Sequence, residues 1–370
     1  MPGIHQPSAG VAVPGSAAPD VAAAAEPGTA VVAVTELSDP AWDRFVTGRP
    51  EATCFHRPAW TQLLADCYRY RAFVLAQRDP NGAVLAGMPV VEVRRPGGPR
   101  RWLSLPFSDE CAPLVGPGGS LGVLVAGADT LRRRTGVADL VIRADLGLQS
   151  MPAQEVAVTH ELTLPGSDGS GGRPRASVRR AVAAAARAGV RVRHASDERD
   201  LTATFYALHA RTRRRQGVPV QPRRYFRLLW ERMIAPGHGT VLVADVEDVP
   251  VAAAVYLTGG RTATYKYGAS NETSWSLRPN HAVMAHAITW AAEQGYQTFD
   301  FGRSDLDNPG LARFKASWGA VARPLRYTSL TGAQVYRGSS RAQALAAPVI
   351  RRGPTLIARG LGELLYRYVP

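Results

Sequence analysis

From Val31 onward the apolar positions switch repeatedly between two periods, one of about two residues and one of about 3.6. "AVVAVTEL" alternates as a strand does. "DPAWDRFV" predicts a helix with Asp39 as N-cap and Pro40 at the first helical position. "HRPAWTQLLADCY" carries apolar residues at helical spacing. "RAFVLAQRD" and "AVLAGMPVVEV" predict strands joined by a turn at Pro80-Asn81-Gly82. "RWLSLPF" predicts another strand, "SLGVLVAGADTLRRR" a helix, and "ADLVIRA" and "QEVAVTHELTL" two further strands.

After a Gly/Ser-rich break at Pro165 to Arg173 much the same order returns. A connecting helix runs from about Ser177 to Ala188 and stops at Gly189. A strand at "VRVRH", helices over about Asp200 to Arg215 and Pro222 to Met233, and three strands ("TVLVADVE", "PVAAAVYLTG", "TATYKYGA") follow. A long helix spans about Pro279 to Gln294, then the strand "TFDFG", a short helix carrying "LARFKASW" and the strand "ARPLRYTSL". The expectation is an α/β fold built by tandem duplication, each copy a mixed central sheet flanked by helices. The segments are 1–29 as a disordered leader, 30–164 and 177–330 as the two domains, 165–176 as linker, and 331–370 as a basic amphipathic tail.

Composition sharpens this. The 370 residues carry a net charge of +14, which favours anionic partners. Of 44 basic residues only two are lysines, Lys266 and Lys315. A lysine kept in so arginine-rich a chain suggests a place that needs a compact ammonium rather than a planar guanidinium. The three cysteines, Cys54, Cys67 and Cys111, form no CxxC pair, so neither a disulfide framework nor a zinc site is expected and a reducing cytoplasm is the default. His281 and His286 are five apart and do not share a helical face, so no metal is expected.

Several strings in the second block carry a resemblance: "RTRRRQGVPVQPRRYF", "YKYGASNE", "RPNHAVMAHAITWAAEQGYQTFDFGRS" and "GLARFKASWGA", with "SLPFSDECAPLV" in the first. Together they resemble the FemAB-like (BioF-like acetyltransferase-domain) family of the GNAT superfamily, which moves acyl or aminoacyl groups onto amines. The element order is that of GNAT domains. The resemblance implies that Phe314 and Lys315 serve catalysis, and that Tyr267, Asn280 and Arg303, inside the matching strings, contact substrate. It implies an aminoacyl-tRNA or acyl-coenzyme A donor, no tightly bound cofactor, and an acceptor among cell-envelope or polysaccharide precursors. The long helical arm of some bridge-building members is lacking.

The chemistry fits these residue types. Attack of an amine on an ester or thioester builds negative charge on the carbonyl oxygen, and a fixed cation such as Lys315 stabilises the transition state more than the ground state. Such a cation contributes little to packing, so its removal is expected to spare stability. Asp300, between Phe299 and Phe301, is a candidate to orient Lys315 or Arg303, or to take a proton from the amine. Arg211, Arg213 and Arg215, with Arg179 on the preceding helix, are candidates to bind the phosphates of tRNA, a nucleotide- or lipid-linked precursor, or coenzyme A.

The usual coenzyme A loop before the long helix is replaced by "SNETSWSLRPN", which has no glycine and counts against an ordinary acetyl-coenzyme A enzyme. The alternatives are therefore a FemAB-like N-acyltransferase, an acyl-coenzyme A-dependent GNAT enzyme, and a non-catalytic accessory of envelope or exopolysaccharide assembly. A cytoplasmic monomer is expected. The tail groups Leu356, Ile357, Leu361, Leu364, Leu365 and Tyr368 near one side of a helix, which either packs on the body or lies on the inner face of an anionic membrane.

Overall fold

The computed structural model describes residues 31–94, 96–165, 171–335 and 341–366; the expected leader lies outside them. The first half runs β1 (Val31–Thr35), α1 (Pro40–Thr47), α2 (Pro58–Tyr68), β2 (Arg71–Arg78), β3 (Val84–Arg94), β4 (Arg100–Ser104), β5 (Leu114–Val115), α3 (Leu121–Arg134), β6 (Asp139–Ile142) and β7 (Gln154–Thr163). After α4 (Ala176–Arg187) the second runs β8 (Arg191–His194), α5 (Tyr206–Gln216), α6 (Arg223–Leu229), β9 (Gly239–Val246), β10 (Val249–Gly259) and β11 (Thr262–Ser270). It ends with α7 (Pro279–Glu293), β12 (Thr298–Ser304), α8 (Pro309–Ala316) and β13 (Val321–Ser329). The duplicated order expected from the periodicity is present.

Local chemistry sets the boundaries. Asp39 accepts from Ala41 N at 2.7 Å and Pro40 opens α1. Asn308 accepts from Leu311 N at 3.1 Å ahead of Pro309, which fixes the start of α8. Glu247 and Asp248 both adopt positive φ, the geometry that a tight hairpin between β9 and β10 requires. The helices expected at Asp200 to Arg215 and Pro222 to Met233 each contain a π-helical stretch, at Asp200–Phe205 and Trp230–Ile234.

All strands but β5 lie on one continuous path, β1-β2-β3-β4-β6-β13-β7-β12-β11-β10-β9-β8, with β5 beside β3. The last strand of each half has crossed over. β7 pairs with β12 through Thr163↔Thr298 and Val158↔Ser304, whereas the end of β13 pairs with β6 through Thr328↔Ile142. The two exchanged strands also pair with each other from Val321↔Glu161 to Tyr327↔Gln154. Hydrogen bonding therefore runs across the 164/177 division that the chain's punctuation suggests.

The core crosses it too. Trp60, Leu63, Leu64 and Tyr68 of α2 pack in one cluster with Phe205, Tyr225, Phe226 and Leu229 around α5 and α6. Each such side chain, fully buried, contributes roughly 1.5–3 kcal/mol. The opposite face of the second half is covered by α4 and α7. The tail forms two helices, α9 (Arg341–Arg352) and α10 (Thr355–Leu365), parted at Gly353-Pro354. One side of α10 packs on the body: Ala358 and Gly362 are buried while Ile357 is exposed, Ala358 O accepts from Val220 N at 3.0 Å, and Tyr366 donates to Pro219 O at 2.9 Å. Among the described residues no helix is long and apolar enough to cross a membrane.

Candidate active site

The site begins where two strands part. β11 and β12 pair in parallel only from Thr262↔Thr298 to Thr264↔Asp300. Beyond that point β12 breaks register at Gly302, whose φ of +69° suits glycine. Asp300 Oδ1 holds this turn, accepting from Gly302 N at 2.8 Å and Thr159 Oγ1 at 3.0 Å. Burial, helped by the neighbouring Asp109 carboxylate, pushes its carboxyl up to about 6. The turn presents two carbonyls to α8. Lys315 Nζ donates to Gly302 O at 2.6 Å and Arg303 O at 2.8 Å, and the residue is 2% exposed. Burial lowers its ammonium to about 8, against the opposing pull of Asp109, Asp300 and Asp305.

The first half supplies the other wall. A segment after β4 carries Phe107 at a positive φ of 59°, and its carbonyl accepts from Lys266 Nζ at 2.5 Å. That ammonium stands 5.0 Å from the Phe55 ring centre, 5.6 Å from Trp60 and 5.5 Å from Tyr267, where cation–π attraction offsets part of its desolvation. Burial still lowers its pKa, with Asp109 opposing. Asp109 itself accepts from Arg303 N at 3.1 Å, and Tyr327 donates to its backbone carbonyl at 2.7 Å. Burial alone would raise its carboxyl; Lys266, the Arg303 N–H and Lys315 outweigh that and hold it below the usual range. The chain's two lysines thus converge on one carboxylate.

A cleft of about 870 Å³ opens over this group. Five arginines (Arg94, Arg101, Arg143, Arg213, Arg303) and both lysines line it, against the carboxylates of Asp109 and Asp305. A second cavity of about 390 Å³, mostly apolar, lies beside β10, β11 and the start of α7.

The residues expected from sequence fall into three groups. Lys315, Arg213, Tyr267 and Arg303 line the larger cleft. Phe314 and Asn280 line the smaller cavity, where Asn280 Nδ2 donates to Ser270 Oγ at 3.2 Å. Three arginines lie elsewhere. Arg179 is exposed and donates to Pro174 O, Arg211 is exposed, and Arg215 pairs with Glu272 at 2.7 Å over the Trp275 ring. Arg211 and Arg215, four residues apart, share one side of α5 and Arg213 lies on the other, while Arg179 belongs to α4. Asp300 lines neither cavity and acts on the Gly302 turn. Asp109, Arg94, Arg101 and Arg143 were missed, and Lys266 had been marked only by the rarity of lysine.

Residues 172–316 match the model of the acetyltransferase (GNAT) domain family. Lipid II:glycine glycyltransferases of Staphylococcus epidermidis and Staphylococcus aureus are 32% and 33% identical over 82 and 79 residues. Each match covers 20% of this chain and 20% and 19% of those relatives, so the aligned stretch spans about a fifth of their length. Among solved structures, FemX superposes with a TM-score of 0.63 at 17% identity, covering 78% of this chain and 94% of FemX. L-PGS from Bacillus licheniformis superposes at 0.53 and 15% identity, covering 86% of this chain and 99% of that one. At these identities the likeness is one of fold.

Proposed function

We infer that this chain, a FemAB-like member of the GNAT superfamily, is an N-acyltransferase that moves an acyl or aminoacyl group from an ester or thioester onto an amine. The observation that carries the reading is the buried Lys315 ammonium. It has three N–H donors, and the carbonyls of Gly302 and Arg303 take two. The third has no partner among the described residues and can meet the oxygen that becomes negative when the amine attacks the acyl carbon. As the tetrahedral adduct collapses, the carbon–oxygen or carbon–sulfur bond breaks, the acceptor nitrogen loses a proton, and the leaving group takes one up. Asp109, held ionised in the same cleft, suits the positive charge that the acceptor nitrogen carries until its proton leaves to solvent.

The cationic cleft suits an anionic substrate, such as a phosphate-linked envelope precursor as acceptor. The named activity of the staphylococcal relatives favours that acceptor class. For the donor, the segment before α7 holds a turn at Glu272–Leu277 in place of a glycine loop, which favours aminoacyl-tRNA over acyl-coenzyme A. Action at the cytoplasmic side of the membrane would follow, and the packing of Ala358 and Gly362 on the body argues against a tail anchor. The test is to incubate the purified protein with charged tRNA and acyl-coenzyme A pools, with and without envelope precursors. Amine-dependent loss of acyl group from one pool is expected; loss from neither overturns the reading.

A further inference from the structure

The chain beyond β13 returns to the larger cleft twice. Gln334 and Val335 line it where Gln154 clamps the backbone, accepting from Val335 N and donating to Ala333 O, both at 2.9 Å. Tyr366, one residue past α10, lines it again. The tyrosine hydroxyl donates to Pro219 O at 2.9 Å in the second half. Its backbone carbonyl accepts from Tyr70 Oη at 3.2 Å in the first. One residue of the tail is thus bonded to both halves.

The Tyr366 ring reaches further. Its centre stands 6.0 Å from that of Phe107 and 6.4 Å from that of Tyr68, and Phe107 and Tyr68 stack on each other at 4.8 Å with 13° between their planes. Phe107 has a φ of +59°, which a residue with a Cβ holds only where its surroundings impose it. Two tyrosine rings, one from α2 and one from the tail, supply those surroundings. The conformation has a use. It aims the Phe107 carbonyl at Lys266 Nζ, 2.5 Å away, the one hydrogen bond that this ammonium makes among the described residues. Without that acceptor only ring faces and the pull of Asp109 would fix the cation.

We propose that Tyr366 is a positioning residue of the site: its ring holds Phe107 in the conformation that aims the carbonyl at Lys266, so the C-terminal segment completes the charged centre of the cleft. The placement of Lys266 is independent of the transferase reading; the loss of rate expected below rests on that reading. The ring, not the hydroxyl, does the holding.

The scarcity of lysine supplies the test. Lysine labelled with carbon-13 at Cε gives two NMR signals, from Lys266 and Lys315, and Lys315→Met assigns them. The charged and titratable groups that act on Lys266 are Asp109, Cys54, Arg143 and Asp300; none lies beyond β13, and burial pushes the Tyr366 hydroxyl itself above its usual 10. A shift on changing Tyr366 therefore reads position, not charge. In wild type the Lys266 signal titrates below the ordinary 10.5. In Tyr366→Ala its midpoint rises toward 10.5, because the released Phe107 segment lets water reach the ammonium, while Lys315 keeps its midpoint near 8. Tyr366→Phe, which keeps the ring, stays with wild type. A Lys266 midpoint that does not move in Tyr366→Ala, or that moves equally in Tyr366→Phe, overturns the proposal. Where Tyr366→Ala does not fold, Tyr366→Leu, which keeps apolar bulk without a flat face, is read the same way. Transfer falls about tenfold in Tyr366→Ala and stays within about twofold of wild type in Tyr366→Phe. Undiminished transfer in Tyr366→Ala overturns the proposal as well. If wild type transfers nothing, the transferase reading fails and the lysine titration alone decides whether Tyr366 positions Lys266.

Discussion

Replacing Lys315 by Met separates what this ammonium does for chemistry from what it does for folding. Its descent from an ordinary 10.5 to about 8 means that the folded protein disfavours the charge by about 3 kcal/mol relative to the unfolded chain. Met removes that penalty but leaves the carbonyls of Gly302 and Arg303 without their donor, at roughly 1–3 kcal/mol each. The net change at neutral pH is then a small difference between opposed contributions. Stability survives for a reason other than the one read from sequence: the cation is buried and bonded, not marginal to packing. The pH dependence exposes it. Between about 8 and 10.5 the unfolded chain still holds the proton that the folded chain has released, so Lys315 makes stability rise with pH across that window. Activity moves the other way, since transfer needs the ammonium and falls as pH passes about 8. Urea unfolding and transfer rates, both measured from pH 7 to 10.5, check this. In wild type the two curves should diverge; in Lys315→Met transfer should drop by about 10²–10³ and the extra stability slope should vanish. Parallel unfolding curves for the two proteins, or transfer by the variant within about threefold of wild type, would refute the reasoning.

Asp109→Asn should lower transfer and move the alkaline limb of the rate profile to lower pH, because the carboxylate that supports the Lys315 charge is gone; a pH–rate series checks it. Gly302→Ala should cost about 1–2 kcal/mol in denaturant unfolding and at least about tenfold in transfer, since its Cβ would lie 2.8 Å from Asp109 Oδ2 at a φ of +69°. Gly362→Val should lower stability by about 1–3 kcal/mol in thermal melts, as its Cβ would sit 1.7 Å from the Val220 carbonyl oxygen. Removing residues 338–370 should likewise lower the melting temperature, because Ile350 and Ala358 belong to the shared core; an unchanged melt would point to a detached tail.

What the sequence revealed follows what is local. The element order was legible because each helix and strand carries its own period and caps, as with Asp39 and Asn308. Lys315 was legible because a short string and the scarcity of lysine marked it together. Asp109 was not: it meets Arg303 across 194 residues of chain, and nothing near it states that partner. Lys266 was half legible, singled out by rarity, yet its acceptor on Phe107 lies 159 residues away. Of the arginine run only Arg213 lines the cleft, because helical spacing sets Arg211 and Arg215 on the other side of α5 and the sequence alone does not say which side faces the cleft. The strand crossing was hidden because a period of two tells which face of β7 is apolar but not which strand lies beside it.

That crossing has a mechanical consequence. Two lobes joined by a flexible tether can rock about a hinge and shut on their substrates. Here a ladder from Val321↔Glu161 to Tyr327↔Gln154, flanked by β6 on one side and β12 on the other, rivets the lobes edge to edge. Opening such a seam would rupture a row of backbone hydrogen bonds at once, so the width of the cleft is set when the chain folds. Arriving molecules meet an aperture of fixed gauge, and adjustment is left to side chains and to the segments bordering the opening.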